Sequence, residues 1–178
     1  HIRVIKKEID NYSWFTIVRN PWTRFVSHWW QWQIPNNIQK THIDRQNISA
    51  LCDNLKSYIR KIKKMSDIEL MFFRDAHLRK QWEFISASYD QIYSDVCIDC
   101  DIRIARYEMF FDDISKILGS APKKLDLLNE ACRPKISDLL DDYCINEIGE
   151  IYSEDIDLFG YSSPVSTPAK LDKIWKTI

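Results

Sequence analysis

Glycine is almost missing from this chain: Gly119, Gly149 and Gly160 are the only three in 178 residues. None lies in a glycine-rich run, which excludes a G-x-x-x-x-G-K-[ST] phosphate loop and a G-x-G-x-x-G dinucleotide fingerprint within the sequence. Long apolar runs are missing too. No stretch approaches the roughly 20 residues that span a bilayer, and His1 to Lys7 carries no signal-peptide pattern. Neither observation assigns a compartment, and membrane association stays open. Charge of one sign is also lacking, because 25 Lys and Arg against 26 Asp and Glu leave a formal net charge of -1. No global basic field draws in nucleic acid, which is therefore not an expected partner. Any anion binding has to come from local clusters.

Cysteine is sparse and scattered. Cys52, Cys97, Cys100, Cys132 and Cys144 are too few for a disulfide scaffold, and an odd number leaves one unpaired within the chain. Cys97-x-x-Cys100 has no second such pair and no histidines at zinc-finger spacing, so small buried thiols are the expectation and no metal is. What is abundant is apolar: 45% hydrophobic and 13% aromatic residues argue against disorder, and the length suits one domain with a real core. We take residues 1-178 as a single domain, with a core over 1-161 and an extended C-terminal tail over 162-178. There is no internal repeat and no low-complexity segment.

The most informative stretch is Trp14 to Trp32, WFTIVRNPWTRFVSHWWQW. Phe15 to Val18 is a β-branched and aromatic run of the kind that forms a strand buried on both faces. Asn20 suits an N-cap, and Pro21 suits the first helical position, where its missing N–H has no partner to lose. A helix N-terminus at such a corner presents N–H groups and a partial positive charge to an anion. Arg19 adds a permanently charged planar fork. Ser27 lies two turns into the helix, with Arg24 three residues before it on a neighbouring part of the surface. The same residues also suit a buried strand-to-helix turn with Arg19 in an ordinary salt bridge. Arg19 and Ser27 side chains pointing away from each other, or a corner plugged by a carboxylate of the protein, would end the anion reading.

Arg19-Asn20-Pro21-x-x-Arg24-x-x-Ser27 resembles the 3′-phosphate motif of sulfotransferases, in particular the carbohydrate sulfotransferase-like group, sulfotransferase family 2. Further segments are similar in the same order: Leu78 to Ile85 resembles "hlrpQ..fi" with Lys80 where Pro is usual, Arg103 to Leu118 resembles "gRyE.l..D...l", and Tyr152 to Tyr161 resembles "y..D...FGY". The resemblance implies an α/β, P-loop-kinase-like sulfotransferase fold with a short central parallel sheet flanked by helices. It implies 3′-phosphoadenosine 5′-phosphosulfate as sulfuryl donor, a carbohydrate or other hydroxyl as acceptor, no metal, and Arg19 and Ser27 as holders of the 3′-phosphate. In relatives similar to heparan sulfate 2-O-sulfotransferase a histidine upstream of the 3′-phosphate strand is the catalytic base. His1 is the candidate for that role here, and His77 is a second.

One departure stands out. The family carries, upstream of this motif, a strand and a Lys/Gly/Thr loop for the 5′-phosphosulfate, and nothing before Trp14 supplies it. The expectation is an N-terminally incomplete or degenerate relative that binds the donor weakly and turns over little as this polypeptide alone.

The rest of the chain reads as helices and brief strands. Ile2, Ile5 and Ile9 fit a short helix within His1 to Asn11, and Ile34 to Asn47 reads as a loop. Trp29, Trp30 and Trp32 cannot share one face, so one is exposed or covered by that loop. They suit core packing or a sugar-stacking platform. Asn47 or Ser49 caps a helix through Leu51, Leu55, Tyr58, Ile59 and Ile62, whose outer side gathers Lys56, Arg60, Lys61, Lys63 and Lys64, either as a solvated face or as a polyanion-binding one. Gln81 is expected to line the nucleotide cleft. Gln91 to Tyr93 and Ile102 to Ala105 are strand candidates, and Tyr107-Glu108 starts a helix ending at Gly119. Ser137 caps an acidic helix with Tyr143, Ile148, Ile151 and Tyr152 inside, weakened by Gly149 and ended by Gly160. Leu171, Ile174 and Trp175 dock the tail. Two rival functions remain: a P-loop nucleotide-kinase-like phosphotransferase, which needs a lysine loop, and a non-catalytic module binding anionic glycan or nucleic acid through Lys56 to Lys64.

Overall fold

A computed structural model describes residues 14-33, 54-65, 78-83, 102-120 and 135-166. Strand β1 (Trp14–Val18) pairs in parallel with β2 (Ile102–Arg106), in a register that runs from Trp14 opposite Ile102 to Val18 opposite Arg106. Parallel neighbours need a long crossover, and here it carries helical segments, as an α/β architecture requires. After β1 comes α1 (Pro21–Gln33), then α2 (Leu55–Lys64). After β2 a 3₁₀ turn (Tyr107–Met109) leads into α3 (Phe110–Leu118), which ends on Gly119 at φ 69°, the left-handed conformation glycine adopts without strain. A short α4 (Ile136–Leu139) precedes α5 (Asp142–Ile151) and α6 (Ser153–Phe159).

The core follows from helical periodicity. Trp22, Phe25, Val26 and Trp29 fall at i, i+3, i+4 and i+7 of α1, and Leu55, Tyr58, Ile59 and Ile62 repeat the spacing in α2; all eight are buried. Phe25 sits at the centre with its ring 5.2 Å from Tyr58 and 6.1 Å from Tyr152. Against these pack Cys144 and Ile148 of α5, with Phe159 and Tyr161. Trp22 Nε1 donates to the Ile145 carbonyl at 2.8 Å, so α1 and α5 are fastened by a bond as well as by contact. Arg106 fastens α3 to β2: its Nε and Nη2 donate to the two Asp113 oxygens at 2.7 and 2.8 Å, and its backbone N–H to Oδ2 at 2.9 Å. This fork holds the Asp113 carboxyl below its usual range.

Several expectations need correction. The strand is not buried on both faces: Val18 is 1% exposed, but Phe15 and Ile17, which point the other way, are 41% and 42% exposed. Helix α2 is capped by Asn54, not by Asn47 or Ser49; its extended backbone lets its side chain accept from the Ser57 N–H at 2.9 Å. Asp141, not Ser137, caps α5, accepting from the Cys144 N–H at 2.9 Å, while Ser137 lies inside the separate α4. The acidic helix, expected to run unbroken to Gly160, is divided at Tyr152, and Gly160 at φ 71° ends only the second piece, α6. Gly149 faces Trp22, whose ring would stand 3.6 Å from an added Cβ. Trp29 is buried, which removes it from any sugar platform, and Trp30 is half-buried against the core; the Trp32 side chain lies outside the described residues. So do the N-terminal helix, the 34-47 loop, the 91-93 strand and Leu171, Ile174 and Trp175.

Candidate functional site: the corner between β1 and α1

At the corner the chain leaves the sheet and enters α1 within two residues, Arg19 and Asn20. The Arg19 N–H donates to Gln81 Oε1 at 2.8 Å and its carbonyl accepts from Gln81 Nε2 at 2.8 Å. The Asn20 N–H donates to Glu108 Oε1 at 2.7 Å. The Asn20 side chain accepts from the Thr23 N–H at 3.3 Å as an N-cap and donates through Nδ2 to the carbonyls of Ser163 and Ser166 at 2.9 and 3.3 Å.

These holders are themselves held. Asp155 is fully buried and accepts from the backbone N–H groups of Gln81 at 2.7 Å and Trp82 at 2.9 Å. Arg24 Nη2 lies 3.6 Å from the same carboxylate, donates to the Arg79 carbonyl at 2.7 Å, and has its guanidinium 5.0 Å over the Tyr152 ring. Tyr152 in turn donates its hydroxyl to the Leu78 carbonyl at 2.8 Å. Glu108 accepts from the Tyr161 hydroxyl at 3.1 Å through its second oxygen. Burial, then the neighbouring Glu108 charge, pushes the Tyr161 hydroxyl pKa far up, so it stays a donor.

The Arg19 side chain runs along α1. Its Nε donates to Thr23 Oγ1 at 3.2 Å, and its guanidinium stands 4.7 Å over the exposed Tyr107 ring. Thr23 Oγ1 donates to the Asn20 carbonyl at 3.1 Å. Ser27 follows Thr23 by four residues, so both hydroxyls lie on one side of the helix, a turn apart.

Across residues 1–162 the sequence matches the model of the Sulfotransferase family. The chain belongs to the sulfotransferase family. Comparison with curated proteins and with solved structures returns no match. A mixed fold of helices and a small parallel sheet agrees with this membership, and sulfuryl transfer to a hydroxyl-bearing acceptor is the general chemistry it carries.

In this sulfotransferase the four motif segments meet at one place. Arg19, Gln81 and Glu108, from three of them, and Asp155 and Tyr161, from the fourth, form one hydrogen-bonded cluster around the corner. Two readings change as a result. The anion reading of the corner amides narrows, because the Arg19, Asn20 and Thr23 N–H groups already have protein acceptors, one of them the Glu108 carboxylate. Gln81, expected only to line the cleft, has a structural partner: both ends of its side-chain amide are bonded to Arg19. Beside these bonds, Arg19 reaches Thr23 through its Nε, and Ser27 follows Thr23 one helical turn on. Thr23 was not singled out from sequence, although its place midway between Arg19 and Ser27 at helical spacing was the available signal. Glu108, Asp155 and Tyr161 were visible as motif letters without a role.

The basic face of α2 is partly neutralised. Lys56 pairs with Asp141 at 2.5 Å, and Lys63 with Glu147 and Glu150 at 2.6 and 2.7 Å. The hydrogen bond to Lys56 lowers the Asp141 carboxyl pKa to about 2. Burial pushes the Cys144 thiol up to about 11, which makes it an unreactive core residue at neutral pH. Among the described residues no cluster of His, Cys, Asp or Glu could hold a metal, and no helix is long and apolar enough to cross a membrane. His1, His77, Cys97 and Cys100 lie outside the described residues.

Proposed function

We propose that the chain is a sulfotransferase domain of P-loop-kinase-like architecture that uses 3′-phosphoadenosine 5′-phosphosulfate and transfers its sulfuryl group to a hydroxyl, that of a carbohydrate in the first instance. The observation that carries the reading is the row Arg19, Thr23 and Ser27 on a corner held by every other motif of the chain. A guanidinium fork with two hydroxyls beside it fits a phosphate dianion, whose oxygens accept several charge-assisted hydrogen bonds. The donor supplies an activated sulfuryl group. The chain's own residues do the rest. Arg19 and Ser27 anchor the 3′-phosphate end, Thr23 keeps the Arg19 fork along the helix, and a base takes the acceptor proton, with His1 as the candidate. Their contribution is mainly positioning and charge neutralisation. Neutralisation of Lys56 and Lys63 within the protein weighs against the glycan- or nucleic-acid-binding rival.

Calorimetric titration with adenosine 3′,5′-bisphosphate tests the reading. Wild type should bind. Arg19→Ala weakens binding by about 10- to 100-fold, the worth of a charged hydrogen bond or two. Equal affinity of the two proteins removes Arg19 from the site.

A further inference from the structure

Among the described residues the pairing of the sheet ends at Val18 and Arg106, so Arg19 is the first residue past β1 with no strand beside it. Gln81 continues the ladder in place of one. Its side-chain amide offers the same acceptor and donor as a peptide group, and both bonds to Arg19 are 2.8 Å long. The next peptide N–H, on Asn20, is fixed by Glu108 at 2.7 Å. Two successive peptide units of the corner are thus set by side chains arriving from elsewhere. Gln81 is itself immobilised by Asp155, and Glu108 by Tyr161.

We infer that Gln81 and Glu108 are positioning residues of the anion site: they clamp the backbone of Arg19 and Asn20 so that the Arg19 guanidinium is aimed along Thr23 and Ser27 before any ligand arrives. This rests on the function proposed above. The two residues act by different chemistry. Arg19 presents one donor and one acceptor to Gln81, so only an amide satisfies both. Glu108 receives two donors, the Asn20 N–H and the Tyr161 hydroxyl. An amide there still accepts from Asn20, and the tyrosine hydroxyl can turn to accept from its NH₂.

The test exploits this asymmetry. Gln81→Glu and Gln81→Leu are compared with Glu108→Gln and Glu108→Leu by calorimetry with adenosine 3′,5′-bisphosphate, with amide hydrogen exchange at Arg19 read by NMR in the absence of ligand. Both Gln81 variants should bind about tenfold or more weaker, because small misplacements of a charged group are costly, and Arg19 amide exchange should accelerate about tenfold or more. Glu108→Gln keeps an acceptor for Asn20 and is the conservative comparison, whereas Glu108→Leu loses it and should bind about tenfold or more weaker; wild-type affinity in Glu108→Leu would remove Glu108 from the clamp. A role in packing alone predicts no such asymmetry between two exchanges of equal size. Wild-type affinity and unchanged Arg19 exchange in Gln81→Glu would overturn the clamp while leaving the donor reading intact. A wild-type protein that does not bind the bisphosphate would overturn both.

Discussion

Asp155→Ala is the substitution on which the corner's architecture makes its largest demand. The carboxylate is fully buried, with backbone N–H groups at 2.7 and 2.9 Å and Arg24 Nη2 at 3.6 Å. Truncation leaves two donors of the 81-83 turn unmet, at about 1–3 kcal/mol each. It also leaves the largely buried Arg24 charge without its carboxylate, and breaking such a pair from one side costs about 3–5 kcal/mol. These losses overlap, because relaxation and entering water serve more than one group, so about 4–6 kcal/mol in total is expected. For a chain of this length that lowers Tm by roughly 10–20 °C. Asp155→Asn keeps one acceptor oxygen and turns an NH₂ toward the other donor, for a loss of about 2 kcal/mol, or roughly 4–8 °C. Thermal melting by circular dichroism reads both. Because Arg24 and Asp155 share the interaction, Arg24→Met combined with Asp155→Ala should cost clearly less than the sum of the two single changes. An Asp155→Ala protein melting within about 2 °C of wild type, or strictly additive costs in the double variant, would refute the account of how the corner is held.

Acid should expose the Arg106–Asp113 fork. Its folded carboxyl pKa is lowered from 3.8, so its stabilisation is present above that value and is lost as pH falls through the folded pKa. The stability gap between wild type and Asp113→Asn, read by urea unfolding, should therefore be widest above about pH 5 and narrow below it. Two glycines should respond oppositely: Gly160→Ala, at φ 71°, should destabilise by about 1–2 kcal/mol, whereas Gly149→Ala, with only an ordinary contact to Trp22 at 3.6 Å, should stabilise α5 by up to about 1 kcal/mol in thermal melts. Ser27→Ala should weaken adenosine 3′,5′-bisphosphate binding by about 5- to 10-fold with Tm unchanged. Phe25→Ala, at the centre of the core, should cost about 3–5 kcal/mol.

Local features of the corner were legible in sequence because local rules make them. A β-branched run, then Asn-Pro, specifies a strand followed by a capped helix, and the structure has Val18, Asn20 and Pro21 in those roles. The buried face of α2 and the end of α3 at Gly119 were equally readable, one from periodicity and the other from glycine's conformational freedom. The choice among nearby caps was not, since Asn47, Ser49 and Asn54 have interchangeable chemistry and only backbone conformation selects Asn54. Nor was the closing of the corner. Periodicity reports which face of an element is apolar, but not which distant polar side chain returns to an N–H, and that is how Gln81 and Glu108 came to fill groups that looked open from sequence.

The separation of these partners along the chain has a consequence for biosynthesis. Arg19 is bonded to a residue 62 positions later, and Asn20 to residues 88 and 143 positions later. At translation speeds of about 5–20 residues per second, Asn20 waits roughly 7–30 s for its last partner to be made. A ribosome stalled before residue 160 would display the whole RNPxxRxxS signature on a polypeptide that lacks Tyr161 and Ser163, so the hydrogen bonds that close the corner are among the last contacts the new chain can complete.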